Sequence, residues 1–392
     1  MTTSPVQLYA ELLGNIRQVS ISASFAGAAD PTKTTAEILP DGLTLRIQHI
    51  GQTVVLTLPG RVAAAELPLH PDVNIVWRLP VAGPPLINND DLAPWSAPDL
   101  PPNARVSCRA CDAEIVTAST LTTWKDLPSD NWAEMMEFWH CHKPDTKKGE
   151  EKDKDNNLAD RGYGANSVIA AEKGIGFVDL TTLLLSEEDC LNLLFSVSSV
   201  DNASDRETVL LSAPADLRGL NIFCQSCRAQ IGYLTIRRQQ SVHLFKWQVS
   251  VSETTTTAPS ISDCVAATLI ATIQRTGSSK SLILPIYELE GRHSRSDENV
   301  LQIWVLNSNI SYAAWPSSTK SGPAIKLLYK FVSRNDADTT LDSLNSDVQE
   351  INLPSETIAA MASLLEASTG LLPERERWFR EWKIGLLERW RR

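Results

Sequence analysis

The sequence lacks the two features that mark a chain for export or for insertion into a membrane. Its first residues carry no basic stretch followed by an unbroken apolar run, and nowhere do about 18 apolar residues follow one another. We therefore expect a soluble intracellular protein that does not associate with a membrane.

An excess of basic charge is also missing. The formal net charge at pH 7 is -11, from 36 Lys and Arg against 47 Asp and Glu. Duplex binding requires clustered cations that displace counterions from phosphates, which an acidic chain does not favour. We expect no direct contact with nucleic acid, and the charge is compatible with the cytoplasm, the nucleus or both.

The cysteines do not form the pattern of a disulfide framework. There are seven of them, an odd number, in a long chain without an export signal. Reduced thiols or metal ligands are therefore expected. Cys190 and Cys264 stand among apolar residues and are predicted to be buried, inert thiols.

Short apolar runs indicate strands over much of the sequence. Many of them alternate with a period of two, as half-buried strands do. They predict strands near residues 19–24, 43–49, 53–58, 231–237, 242–249, 282–287, 300–306 and 325–332. The fold class predicted is α+β and mainly β, with β-sandwich or barrel-like modules and a few packed helices.

Helical periodicity is confined to a few segments. One helix is predicted over 264–274, and another begins at a Ser355 cap, turns Ile358, Met361 and Leu365 inward and stops at Gly370. The tail from residue 374 is predicted to be the final helix. Its apolar face, which would pack on the core, is formed by Trp378, Phe379, Trp382, Leu386 and Trp390.

Changes in composition divide the chain into three predicted modules. A proline-rich stretch over 93–102 cannot form a regular helix and marks a connection, and a Thr- and Ser-rich loop follows residue 251. We predict a β-rich module at 1–100, a core module with cysteine knuckles at 101–250, and a β region with terminal amphipathic helices at 251–392.

Two C-x-x-C pairs carry the strongest chemical signal. Cys108-Arg-Ala-Cys111-Asp-Ala-Glu-Ile115 and Cys224-Gln-Ser-Cys227-Arg-Ala-Gln-Ile231 share Cys at the first and fourth places, Ala at the sixth and Ile at the eighth. Four thiolates on two turns match the four ligands of a tetrahedral zinc. We predict a structural zinc on Cys108, Cys111, Cys224 and Cys227.

Two alternatives remain open for these cysteines. Either pair alone could be a redox dithiol, although such a pair usually opens a helix, whereas strand-like residues flank both pairs here. A different zinc site could combine one pair with Cys141 and His142, which would leave the other pair without metal.

A predicted helix after Ser129 leads to a His-Cys-His cluster. Trp132, Met135, Met136 and Trp139 share one face of it, which favours core packing over a partner-binding groove. Cys141 lies between His140 and His142, which could favour its thiolate and make it a nucleophile. Its place at the negative end of the helix dipole disfavours the thiolate.

Four features follow one another along the chain: Cys108-x-x-Cys111, Leu127-Pro-Ser-Asp-Asn-Trp132, Trp139-His-Cys-His142 with Pro144, and Cys224-x-x-Cys227. In this order they resemble the HECT-like ubiquitin-conjugating-enzyme-binding family. The resemblance implies a ubiquitin-protein ligase that accepts ubiquitin from a conjugating enzyme and passes it to a substrate lysine. Cys141 would then be the thioester candidate, with His142 beside it.

The resemblance also implies a second role. Members of the family have been linked to the pre-mRNA cleavage and polyadenylation machinery, which would make the protein a non-catalytic, zinc-containing scaffold or stabilising factor of a protein complex.

Overall fold

The computed structural model describes residues 6–83, 93–127, 171–214, 217–236, 241–286, 299–316, 322–343 and 347–391. Within these ranges strands far outnumber helices, so the prediction of a mainly β protein with a few packed helices is confirmed. No helix in the described ranges is long and apolar enough to cross a membrane. The predicted helix with Trp132 and Trp139, and the cluster at Cys141, lie outside the described residues.

The strands are numbered in chain order. The first twelve are β1 (Val6–Leu13), β2 (Gln18–Phe25), β3 (Thr34–Ile38), β4 (Thr44–His49), β5 (Gln52–Thr57), β6 (Ala65–Glu66), β7 (Asn74–Pro80), β8 (Val106–Cys108), β9 (Glu114–Val116), β10 (Thr123–Asp126), β11 (Ile175–Val178) and β12 (Thr182–Leu185). The others are β13 (Leu193–Ser196), β14 (Gly219–Cys224), β15 (Gln230–Thr235), β16 (Ser241–Phe245), β17 (Val249–Val251), β18 (Lys280–Pro285), β19 (Asn299–Trp315), β20 (Gly322–Ser333), β21 (Val348–Leu353), β22 (Trp378–Phe379) and β23 (Trp382–Glu388).

Four α-helices lie in the described ranges: α1 (Arg206–Ser212), α2 (Ile261–Thr276), α3 (Arg334–Asp342) and α4 (Ser355–Thr369). The predicted helix over 264–274 corresponds to α2. The inward residues predicted for α4 are confirmed, because Met361 and Leu365 are fully buried and Ile358 packs against the same core. Ser355 is not a cap, since the N-cap is Pro354 and the helix begins at Ser355 itself.

The described chain forms two compact units. The first takes residues from 1–94, 261–286 and 295–392, and the second takes them from 95–260 and 287–294. Each is described separately below. The division into modules at residues 100 and 250 stays a prediction.

The first unit contains a nine-stranded sheet. Seven of its strands follow the order β22-β23-β20-β19-β1-β2-β7. The other two branch from β19: β18 pairs antiparallel with β19, and β21 pairs parallel with β18. A four-stranded sheet, β5-β4-β3-β6, shares a core with β1, β2 and β7 through apolar side chains such as Leu8, Ile21, Leu45 and Ile47. This is a β-sandwich arrangement. A second core lies between α2, α4 and the strands β18 to β20, with Val265, Met361 and Leu327 among its members.

The C-terminal tail is a β-hairpin, so the predicted last helix is wrong. Strand β23 pairs antiparallel with β20, and β22 folds back on β23. Leu386 and Leu387 are consecutive, yet both are buried, and they belong to different apolar clusters on the two faces of the strand. A strand buried on both faces does not alternate apolar and polar residues. The spacing of its apolar residues can therefore match that of the apolar face of a helix.

Hydroxyl groups complete the backbone hydrogen bonding of β23. Thr369 Oγ1 donates to the carbonyl of Ile384 at 2.7 Å, the Leu386 N–H donates to Ser368 Oγ at 2.8 Å, and Ser262 Oγ donates to the carbonyl of Glu388 at 2.9 Å. Because an unpaired buried backbone group costs free energy, these bonds stabilise the strand. They join β23 to α4 and α2.

Replacing Ser368 with Ala removes the acceptor for the buried Leu386 N–H. We expect Ser368→Ala to lower the free energy of unfolding by about 1 to 3 kcal/mol, the cost of an unsatisfied buried donor. Denaturant unfolding measures this change. Ser363→Ala is the matched control, since among the described residues the exposed Ser363 hydroxyl bonds only the Ala359 carbonyl of its own helix. Equal effects for the two variants would contradict the assignment.

Candidate metal centre

The two C-x-x-C pairs occupy the turns of two β-hairpins in the second unit. Cys108 is the last residue of β8, and β9 follows the turn. Cys224 is the last residue of β14, and β15 follows in the same way. The first hairpin belongs to a three-stranded sheet, β17-β8-β9, and the second to a seven-stranded sheet, β10-β11-β12-β16-β15-β14-β13.

The two turns have the same backbone hydrogen bonds. In the first, Cys108 N–H donates to Ala113 O at 2.8 Å and Asp112 N–H donates to Cys108 O at 2.8 Å. In the second turn, the same two bonds join Cys224 N–H to Ala229 O and Arg228 N–H to Cys224 O, each at 2.9 Å. The eight-residue repeat in the sequence is therefore a structural repeat.

The residue after the second cysteine is left-handed in both turns. The φ angle is 58° at Asp112 and 63° at Arg228. This conformation is strained for most L-residues, although Asp tolerates it better than Arg. It reverses the chain directly after each cysteine pair.

The four sulfur atoms meet in one cluster. Cys108 Sγ lies 3.7 Å from Cys227 Sγ, Cys111 Sγ lies 3.6 Å from Cys224 Sγ, and all four sulfurs lie within 4.8 Å of one another. A tetrahedral ion with sulfur ligands at about 2.3 Å would separate the sulfurs by roughly 3.8 Å. The cluster therefore fits a metal ion with four thiolate ligands.

Burial and hydrogen bonding act in opposite directions on the Cys108 thiol. Burial raises its pKa to about 12, although the backbone N–H groups of Ala110 and Cys111 donate to the sulfur and favour the thiolate. A positive ion among the sulfurs would stabilise the thiolate form, because metal binding releases the thiol protons. Cys224 is buried as well, whereas Cys111 and Cys227 are accessible to solvent.

The sequence left two alternatives for the cysteines: a redox dithiol, and a zinc site that includes Cys141 and His142. The geometry tests only the first of them. A redox dithiol usually opens a helix, but a strand follows each pair here and the two pairs converge. This arrangement favours metal binding over redox chemistry at an isolated pair. The site that combines one pair with Cys141 and His142 includes residues outside the described ranges.

Asn192 contacts both hairpins, and the sequence analysis did not single it out. Its side chain donates to the carbonyl of Glu114 in β9, and its own carbonyl accepts from the Gln225 N–H in the second turn. No motif surrounds it in the sequence. Its two contacts exist only because the two hairpins converge in the folded chain.

Comparison with known proteins identifies the family. The family model described as HECT-like ubiquitin-conjugating enzyme (E2)-binding matches residues 11–384, nearly the whole chain. This chain belongs to the HECT-like E2-binding family. The resemblance inferred from the two cysteine pairs and the segment between them is thereby confirmed.

Two yeast proteins are similar to this member of the family. The uncharacterized protein YJR141W of Saccharomyces cerevisiae is 22% identical over 281 residues, which cover 71% of this chain and 67% of that protein. The uncharacterized protein C1734.10c of Schizosaccharomyces pombe is 34% identical over 70 residues, which cover 17% of this chain and 20% of that protein. No solved structure matches the chain.

The left-handed conformation of Arg228 predicts an unusual response to substitution. Arg228→Gly should keep or raise the free energy of unfolding, by up to about 1 kcal/mol, because Gly adopts this conformation without strain. Arg228→Val should lower it by about 1 to 2 kcal/mol, because a β-branched residue is strained there. Denaturant unfolding at a fixed metal concentration measures both changes.

Ser226→Val supplies the control for the Arg228 variants. Ser226 lies in the same exposed turn but not in the left-handed region. Its substitution should change the free energy of unfolding by less than about 0.5 kcal/mol. If Arg228→Val were as stable as Ser226→Val, backbone strain at Arg228 would play no part in the turn.

Proposed function

We propose that this protein is a ubiquitin-protein ligase that binds a ubiquitin-conjugating enzyme and promotes transfer of ubiquitin to substrate lysines. The observation that carries the proposal is membership of the HECT-like E2-binding family over residues 11–384. Ubiquitin, the conjugating enzyme and protein substrates are the partners, in the cytoplasm, the nucleus or both.

The cysteine cluster is proposed to hold one structural zinc. Cys108, Cys111, Cys224 and Cys227 supply four soft ligands at separations that fit a tetrahedral ion. When all four positions are protein thiolates, no position is open for water or substrate. The zinc therefore stabilises the second unit and takes no part in ubiquitin transfer.

Cys141 is proposed as the residue that carries ubiquitin. Of the seven cysteines, four form the cluster, and Cys264 is fully buried. Cys190 is partly buried, and burial, followed by the charges of Asp189 and Glu187, raises the pKa of its thiol. The raised pKa disfavours the reactive thiolate of Cys190, and complete burial keeps Cys264 out of reach of a ubiquitin thioester.

The proposed transfer takes place in two steps. The Cys141 thiolate attacks the carbonyl carbon of the thioester between ubiquitin and the conjugating enzyme, so a new thioester forms and the enzyme's thiolate leaves. A substrate lysine, as the neutral amine, then attacks that thioester; an amide forms, the Cys141 thiolate leaves, and the proton lost by the amine passes to this thiolate or to water. His142 is the neighbouring group proposed to favour the thiolate.

Metal analysis tests the zinc. Protein purified under reducing conditions should contain about one zinc per chain, and Cys108→Ser and Cys224→Ser should each lose both metal and thermal stability, because metal binding is part of the folding free energy. Cys141→Ser serves as the control and should keep its zinc and its melting temperature. Zinc loss in Cys141→Ser with metal retained in Cys108→Ser would contradict this ligand set.

Transfer is tested with a conjugating enzyme charged with ubiquitin. Wild-type protein should form a ubiquitin adduct that a thiol reductant cleaves, and Cys141→Ala should abolish it while still binding the conjugating enzyme. Cys190→Ala should retain the adduct. Binding of the conjugating enzyme without any adduct would favour the non-catalytic scaffold. An adduct that persists in Cys141→Ala would show that another residue is the nucleophile.

A further inference from the structure

Residues Leu191 and Asn192 link the two cysteine hairpins through three hydrogen bonds. Leu191 N–H donates to the carbonyl of Ile115 at 2.7 Å, and Asn192 Nδ2 donates to the carbonyl of Glu114 at 2.8 Å. Both carbonyls belong to β9, the strand after the first turn. The third bond runs to the second turn, where Gln225 N–H donates to Asn192 O at 2.9 Å.

The backbone conformation of Asn192 suits it to this place. Its φ angle is 57°, in the left-handed region that Asn adopts more readily than other residues with a side chain. Asn combines three properties here: tolerance of this conformation, a side-chain donor and a backbone acceptor. Gly would keep the first and the last of these, whereas Ala would keep only the acceptor.

The segment before Asn192 is itself fixed. Asp189 is buried, and its Oδ2 accepts from Gly174 N–H at 2.7 Å. Glu187 Oε2 lies 2.5 Å from Arg206 Nη1. These contacts anchor the chain that leads into Asn192.

The segment after Asn192 continues directly into the second hairpin. Strand β13 begins at Leu193, which pairs with Cys224, the first cysteine of the second turn. Asn192 is therefore adjacent in the chain to the residue that pairs with one proposed ligand. Through Glu114 it is also bonded to the strand that follows the first cysteine pair.

We propose that Asn192 is a positioning residue of the metal centre, which holds the two hairpins at the separation that four sulfur ligands require. The inference depends on the proposed metal site. Ligand turns 113 residues apart must lose much conformational freedom when they meet around an ion. A hydrogen-bonded link that fixes them beforehand removes part of that cost from metal binding.

The test is the rate at which zinc leaves the protein for an excess of a strong chelator. Asn192→Gly keeps the left-handed backbone and loses only the bond to Glu114, and it should release zinc about 10-fold faster than wild type, as expected for loss of a residue that supports the ligands. Asn192→Ala adds backbone strain and should release zinc faster still. The absorption of Co²⁺ bound in place of zinc should remain that of four thiolates in Asn192→Gly.

Asn103→Ala is the matched control. Asn103 precedes the first hairpin and is also left-handed, with φ 63°. Within the described residues its backbone bonds Ser119 and Leu121, which follow β9, and neither cysteine turn. The substitution imposes the same kind of strain without touching either cysteine turn, so zinc release should stay at the wild-type rate. Equal acceleration in Asn103→Ala and Asn192→Ala, or a wild-type rate in Asn192→Gly, would overturn the proposal.

A measurement on metal-free protein distinguishes failure of this inference from failure of the zinc proposal. In metal-free protein, amide hydrogen exchange at Gln225 should be faster in Asn192→Gly than in wild type, because the link between the hairpins is weakened. If wild-type protein bound no metal, the zinc proposal would fail, and faster exchange would still support the link. Equal exchange rates would show that Asn192 does not hold the hairpins.

Discussion

Four sulfur atoms from two hairpin turns, more than a hundred residues apart in the chain, share one small volume. Their mutual distances of at most 4.8 Å require the three-stranded and the seven-stranded sheet of the second unit to meet at these turns. Burial alone would keep the Cys108 thiol neutral. A divalent cation among the sulfurs would favour the thiolate form of all four cysteines and would offset part of their negative charge.

The same arrangement limits the chemistry of the site. Four protein ligands fill a tetrahedral ion, so the proposed zinc can fix a fold but has no position for a substrate. A ubiquitin thioester on this chain, as proposed above, would need a thiol outside the cluster. Among the described residues outside the cluster, burial raises the pKa of the Cys190 thiol, and Cys264 is fully buried and inaccessible. These environments support the proposed division between a structural metal and a separate nucleophile.

Local patterns in the sequence predicted those features that depend on neighbouring residues. The strands over 19–24, 43–49 and 53–58 are predictable because each buries mainly one face. The C-x-x-C repeat is predictable because each turn is complete within eight residues. The sequence of the tail predicts a helix wrongly because β23 is buried on both faces and lacks alternation. In the structure Trp378 and Phe379 are exposed and do not pack in a core.

Other features depend on contacts between distant segments and had no local signal. Asn192 is an ordinary residue in the sequence, and its bonds to Glu114 and Gln225 exist only because the hairpins converge. The hydroxyls of Ser262, Ser368 and Thr369 likewise complete β23 only after α2 and α4 have packed. Such contacts depend on tertiary structure, and the hydrophobic periodicity of a sequence predicts only its secondary structure.

Zinc K-edge X-ray absorption on the purified protein tests the central claim most directly, because it reports the type, number and distance of the ligand atoms. The account predicts four sulfur scatterers at about 2.3 Å and no nitrogen or oxygen ligand. The spectrum should be the same in wild type and in a His142→Ala variant. A first shell of mixed sulfur and nitrogen that changes in His142→Ala would contradict the account, since it would put the His-Cys-His cluster at the metal in place of one cysteine pair.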